Sequence, residues 1–224
     1  MKILVIDVGG THVKVRVTGQ KADLEISSGP EMTAEKMVAA VRNITDSWKY
    51  EVITIGYPGP VLHGHIVGEP YNLGKGWVKY NFKKGFGCPV KTINDAAMQA
   101  LGSYEGRRML FLGLGTGLGS AMIVDGAIEP MELAHLPYKK GRTYEDYVGL
   151  AGLKRLGKKK WRRHVNDVVN LLKTALEVDY VVLGGGNARL LKKLPPGSRL
   201  GENANAFRGG QRVWSKSPTH KFKI

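Results

Sequence analysis

Two stretches of this chain are built alike. Ile3-Leu4-Val5-Ile6-Asp7 runs into Val8-Gly9-Gly10-Thr11-His12 and then into Val13-Lys14-Val15-Arg16-Val17. Far downstream, Met109–Leu114 runs into the Gly115–Gly119 turn and then into Ser120–Val124. Each reads as apolar strand, glycine turn, apolar strand. The alternation of Val13, Val15 and Val17 is the period of a half-buried strand paired back on the first. Gly115-Thr116 falls where Gly10-Thr11 falls, so the pattern predicts a structural duplication within one α/β chain. Turns of this type are commonly plain hairpins, but their amides are also free to face an anion.

The common nucleotide loops do not fit these turns. Gly113, Gly115, Gly117 and Gly119 do not follow G-x-G-x-x-G, and a strand rather than a helix comes next. No G-x-x-x-x-G-K-[ST] is present.

Between the two copies lies Val90-Lys91-Thr92-Ile93-Asn94-Asp95-Ala96-Ala97. It reads as a β-branched strand ending in two polar side chains, followed by a helix over Ala96–Tyr104. A carboxylate there is favoured by exposed helix amides. Asp95 is thus a helix cap, a catalytic acid or base, or both. At its ordinary pKa of about 3.9 it is ionised at neutral pH.

Other elements follow from pattern. Ala22–Ile26 predicts a third strand. Thr33 caps a helix running through Trp48, with Met37, Val38, Val41 and Ile44 on its apolar side. Val52–Gly56 predicts a buried strand before a Tyr57-Pro58-Gly59-Pro60 turn, which makes a strand–helix–strand crossover. Val61–Phe86 is irregular, either a binding loop or a surface connection. After a Pro130 turn, Glu132 and His135 share a helical face or line a loop. Helices are expected over Tyr144–Leu156 and Trp161–Leu176, a strand over Asp179–Leu183, and a glycine turn leading to a helix over Asn187–Leu194. A last short helix begins near Glu202, and Ser215–Ile224 is a loose basic tail.

Charge separates the partner classes. The chain has 224 residues, with 34 Lys and Arg against 19 Asp and Glu, a net of +15. Ten of these cations lie between Lys139 and Arg163, facing only Glu145 and Asp146. Such a block is a solvated face or a site for a polyanion. No RNP, KH or zinc-finger signature accompanies it, so no specific nucleic-acid partner is expected. No apolar run approaches the roughly 18–20 residues of a membrane helix, and Met1–Ile6 is too short for a signal core, so a cytoplasmic location is expected. The single cysteine, Cys88, excludes an intrachain disulfide framework and a cysteine-cluster zinc site.

Taken in order, Asp7-Val8-Gly9-Gly10-Thr11, Asn94-Asp95, Leu114–Gly119, Glu132-Leu133-Ala134-His135 and Val182–Gly186 resemble the motifs of the ROK sugar kinases. These belong to the actin-like ATPase superfamily. The Asn72-Leu73…Trp77 loop and the Tyr144–Gly149 segment resemble its polyphosphate glucokinase branch. The resemblance implies a two-lobed, RNase-H-like α/β fold with a substrate cleft. Residues 1–93 would form a small lobe completed by 203–224, and residues 94–202 a larger one. It implies transfer of a phosphoryl group to the 6-hydroxyl of a hexose, glucose first, from polyphosphate, ATP or both. Asp95 matches the general base. Asn94, Glu132, His135 and Glu145 match sugar ligands. Gly9, Gly10, Thr11, Gly115, Thr116, Gly117 and Gly185 match the donor-phosphate turns. Asp7 matches the carboxylate that organises Mg²⁺ through water, and a homodimer is implied.

Two departures stand out. The cysteine-rich zinc motif common in the family is absent, so no structural zinc is expected, and Ala134 replaces the family's glycine. Mannose, an amino sugar or another hydroxyl acceptor is the alternative substrate. A non-catalytic sugar-sensing or polyanion-binding protein is the alternative of another class. Family repressors carry a DNA-binding helix-turn-helix ahead of the fold, for which a first strand at Lys2 leaves no room.

Overall fold

The computed structural model describes residues 1–202 and 204–215. The first sheet opens with β1 (Ile3–Val8), β2 (His12–Val17) and β3 (Leu24–Ser27). β2 returns antiparallel to β1 with Asp7 opposite Lys14 and Val8 opposite Val13. Val13, Val15 and Val17 are buried while Lys14 and Arg16 keep part of their surface, as the alternation requires. Helix α1 (Ala34–Ile44) then crosses to β4 (Val52–Tyr57), which lies parallel to β1. A short hairpin, β5 (Val61–Leu62) and β6 (His65–Ile66), and the five-residue helix α2 (Phe82–Phe86) precede β7 (Val90–Asn94). The strand order is β3-β2-β1-β4-β7. Central β1 and β4 are covered on both faces and are almost continuously apolar, as buried parallel strands are.

Helix α3 (Asp95–Ser103) leads into the second sheet. β8 (Arg108–Leu114), β9 (Leu118–Val124) and β10 (Ala127–Met131) form an antiparallel meander. A small hairpin, β11 (Pro137–Lys139) and β12 (Arg142–Thr143), is followed by α4 (Tyr144–Val148) and α5 (Leu150–Ala175). β13 (Tyr180–Gly184) and β14 (Ser198–Leu200) add in parallel, giving β10-β9-β8-β13-β14. Substituting positions, this is the order of the first sheet. The duplication read from the two glycine turns therefore extends to five strands in each sheet.

Helix α3 is buried between the sheets through Ala96, Ala97, Met98, Ala100 and Leu101. The last helix, α6 (Asn205–Arg212), crosses it at glycines. A Cβ on Gly102 would run into the Asn205 carbonyl, and one on Gly209 into the Met98 carbonyl. α6 is also tied to the first sheet. Thr54 Oγ1 donates to the Gly210 carbonyl (2.6 Å), Trp214 Nε1 donates to Thr54 Oγ1 (2.9 Å), and Lys91 Nζ donates to the Val213 carbonyl (3.1 Å). Arg212 donates to the Leu101 and Tyr104 carbonyls at the C-terminal end of α3 (2.6 and 2.9 Å).

Several elements differ from expectation. α1 stops at Ile44, not Trp48, because Thr45 turns its hydroxyl back onto the Val41 carbonyl (2.7 Å) and leaves helical geometry. The helix expected over 144–156 breaks at Gly149, while the break at Gly157 falls in the gap expected between Leu156 and Trp161. Gly157 has φ 71° and ψ 158°, which no helix accommodates. Pro130 is not a turn but part of β10, an edge strand where a missing amide is tolerated. The helix expected over Asn187–Leu194 is a single 3₁₀ turn, Ala188–Leu190. Its start is pinned to the β8–β9 turn by Asn187, and its end by Arg162 Nε on the Leu190 carbonyl (2.7 Å). β3 begins at Leu24 rather than Ala22, and α6 at Asn205. Residue 203 and the tail from 216 onward lie outside the described residues, so the loose tail expected over Ser215–Ile224 is not described beyond Ser215. Among the described residues, no helix is long and apolar enough to cross a membrane.

Candidate active site

The two glycine turns face one another across a cleft of about 330 Å³. From the first sheet come Gly9, Gly10 and Thr11, with Pro58 and Asn72 beside them. From the second come Gly113, Gly115, Thr116, Gly117 and Gly185, with Glu145. At its foot lie Asp95, Ala96 and Gln99 of α3.

The first turn is closed by Gly9 N donating to the His12 carbonyl (3.0 Å) and by Ser28 Oγ donating to the Gly9 carbonyl (2.6 Å). A Cβ on Gly9 would sit 2.9 Å from the His12 carbonyl oxygen, so the close approach needs glycine. The second turn is held from outside by three elements. Glu145 of α4 accepts from Leu118 N (3.0 Å), Leu150 N at the start of α5 donates to the Thr116 carbonyl (3.1 Å), and Asn187 Nδ2 donates to the Gly115 carbonyl (3.0 Å). Gly185 has φ 81° and packs so closely on Leu114 that a Cβ would meet its backbone at 2.5–2.8 Å.

The N-cap of α3 is Asn94, not Asp95. Asn94 Oδ1 accepts from Ala97 N (3.1 Å) and its Nδ2 donates to the Gly59 carbonyl (3.1 Å). Such a cap contributes about 1 kcal/mol. Asp95 is the first helical residue, and its Oδ1 accepts from Ala96 N (2.8 Å). Capping by Asn94 leaves the rest of the Asp95 carboxylate for the cleft.

The ordinary pKa expected for Asp95 does not hold. Burial, with the Asp7 charge adding to it and the Ala96 amide opposing, pushes it up to about 7. Asp7, on β1, is pushed up to about 6, mainly by burial, with Lys14 opposing. The two carboxylates repel across the foot of the cleft, so Asp95 is about half ionised at pH 7, not fully so.

Asp7 itself is not among the cleft-lining residues. Asn94 faces a separate groove with Val61, Ile93, Ile128 and Pro130. Glu132 and His135 lie in the loop after β10, exposed, with His135 Nε2 3.7 Å from Glu132 Oε1. Glu132 is nonetheless near enough to raise the Asp95 pKa. Ala134, between them, is buried, and its carbonyl accepts from Glu145 N (3.1 Å), so this loop and α4 are tied together. Sequence reasoning missed Gln99 and Asn187. Gln99 lies four residues after Asp95, the spacing that puts two side chains on one helical face.

No group of three or more His, Cys, Asp or Glu residues stands ready to hold a metal among the described residues. Mg²⁺ needs no such cage: it is held by one or two carboxylates together with substrate phosphates and water. Two mutually repelling carboxylates beside phosphate-sized turns fit that chemistry.

The ROK family model matches residues 3–130. The chain belongs to the ROK family. A polyphosphate glucokinase from Mycobacterium tuberculosis is 28% identical over 216 residues, covering 85% of this chain and 80% of the relative. The inorganic polyphosphate/ATP-glucomannokinase from Arthrobacter sp. strain KM superposes with a TM-score of 0.79 at 22% identity, over 93% of this chain and 96% of that one. The ROK family glucokinase from Streptomyces griseus, solved with glucose and AMPPNP, gives 0.74 at 16% identity, over 95% and 99%. The fold is thus the two-lobed actin-like ATPase fold of the ROK sugar kinases.

Proposed function

We propose that this ROK protein is a hexose kinase, transferring a phosphoryl group to the 6-hydroxyl of glucose from polyphosphate, ATP or both. The observation that carries it is the position of Asp95: at the foot of one cleft, between two opposed glycine turns. A hexose hydroxyl meeting Asp95 would give up its proton to the carboxylate while the turn amides hold the donor phosphates. Phosphoryl transfer requires in-line positioning and charge neutralisation rather than covalent help, and these groups supply both. The base contributes roughly 10²–10⁴-fold.

Glu145 has two uses in this reading. It steadies the second turn through Leu118 and lies beside the acceptor. Asn94 acts chiefly by fixing the start of α3. Glu132 and His135 reach the sugar only if the rim loop closes over it. Asp7 would hold Mg²⁺ through water, and the ion would neutralise donor phosphate charge. The lobes are taken as residues 1–93 and 94–202, with the C-terminal segment completing the first. The ties from α6 to Thr54 and Lys91 support that last point. Acceptor and donor follow the relatives named above, one a polyphosphate glucokinase and one a glucomannokinase that uses polyphosphate or ATP.

The test is a coupled assay crossing glucose, mannose and an N-acetylated amino sugar with ATP and long-chain polyphosphate. Turnover with glucose and at least one donor is expected. Folded protein that turns over no pair overturns the kinase reading and leaves a sugar-sensing protein in its place.

A further inference from the structure

The basic block has a definite place in the fold. Leu150, the first residue of α5, donates its amide to the Thr116 carbonyl of the second glycine turn (3.1 Å). The helix therefore begins on the wall of the cleft. At about 1.5 Å of rise per residue, Lys154 lies roughly 6 Å along α5 from that turn, and Lys158 follows directly after the Gly157 break.

Four of the ten cations are engaged, Arg142 among them through its charge beside Asp146. Lys139 pairs with Asp167 (3.5 Å), Arg155 donates to the Asp146 carbonyl (2.7 Å) and lies over the Tyr147 ring, and Arg162 donates to the Leu190 carbonyl. Lys154, Lys158, Lys159, Lys160 and Arg163 are exposed and have no acidic partner among the described residues. Beyond the Gly157 break the spacing adds cost. Lys158 faces Arg162 and Lys159 faces Arg163 at i,i+4, like-charge pairs that each cost about 0.2–0.5 kcal/mol. A merely solvated face does not need this crowding, and Asp167, the one acid on α5, is taken by Lys139.

We propose that this face of α5 binds the distal phosphates of a linear polyphosphate whose terminal group is at the Gly115–Gly117 turn. The inference rests on the kinase reading above. ATP ends in a nucleoside and presents no further anions to the lysines. A long polyphosphate continues past the turn and gains a charge contact at each one. Donor preference is thereby set outside the reacting site, by chain length.

The test uses the triple variant Lys158→Gln/Lys159→Gln/Lys160→Gln, exposed positions that leave the core intact, with Lys→Arg at the same three as control. With long-chain polyphosphate, kcat/KM should fall roughly tenfold or more, and its steep loss with salt should flatten. With ATP or tripolyphosphate, whichever the native protein uses, it should not change. The Arg control should retain native values. A parallel binding measurement with labelled long-chain polyphosphate should show the same loss. Equal losses with long and short donors, or native polyphosphate binding by the variant, overturn the proposal. So does loss of RNA binding with polyphosphate binding intact, which would assign the face to nucleic acid. Should the native protein turn over no donor, the kinase reading fails on its own, and the binding comparison still decides whether α5 holds the chain.

Discussion

Replacing Asp95 with Asn should abolish turnover and at the same time stabilise the protein in alkaline solution. Asp95 titrates at about 7 in the fold against an ordinary 3.8. The unfolded chain therefore loses this proton first as pH rises. Between about pH 4 and 7 the folded state holds more protons, and stability falls with rising pH. Above about pH 7 the full penalty for a buried carboxylate beside Asp7 is in place. At about 1.36 kcal/mol per pH unit, the gap converts to a ceiling of roughly 4 kcal/mol. Part of that remains in the variant, because Asn also has to be buried and Asp7 also titrates, so about 1–3 kcal/mol is expected. Denaturant unfolding at pH 8, without Mg²⁺ or substrates, should show the variant more stable by that amount. At pH 5 the difference should fall to under half of that, and by about pH 3 to nearly nothing. The Asn amide keeps an oxygen for Ala96 N, so loss of that bond cannot confound the comparison. A variant less stable than the native protein at pH 8, or a difference independent of pH, would refute the account of how this carboxylate is held. Near-native turnover would refute its role as base.

The native enzyme's kcat/KM should rise about tenfold from pH 6 to pH 8, as Asp95 passes from roughly nine-tenths protonated to nine-tenths ionised; a flat profile argues against a base with a raised pKa. Gly185→Ala places a Cβ against the Leu114 backbone at φ 81°, so we expect about 1–3 kcal/mol lower stability by thermal melting and a higher donor KM. Glu145→Gln weakens the charge-assisted bond to Leu118 N and should lower stability by about 1 kcal/mol while raising the KM values for both donor and sugar. If only the sugar KM moves, the contact does not steady the turn.

Much of this was legible in short-range pattern. Val13, Val15 and Val17 announce their strand by alternation, and the two glycine turns announce each other by likeness. Asp95 could be placed at a helix start because a β-branched run ends just before it. Which residue caps that helix was less legible: Asn94 and Asp95 are both good caps, and only the Asn94 bonds to Ala97 and Gly59 decide it. Other features depend on partners distant in sequence. The break at Gly149 and the curtailed turn after Gly186 go with ties between α5, the second glycine turn and Leu190. The raised pKa of Asp95 comes first from burial that no local pattern records, and then from Asp7, eighty-eight positions earlier.

The way α6 docks has a consequence for how the chain is made. Val5 and Thr54 belong to the first half of the polypeptide, yet Gly210 is what packs on Val5 and accepts from Thr54. During synthesis the first sheet can pair its strands as soon as β7 has emerged, but the side of it that α6 covers stays bare until the helix follows. Met98 and Gly102 of α3 wait for the same segment. The nascent chain thus carries an open apolar seam through most of its translation, the kind of surface that chaperones bind. Closure of that seam, late and between residues more than a hundred apart in sequence, should be the slow step that makes folding of the two halves a single event.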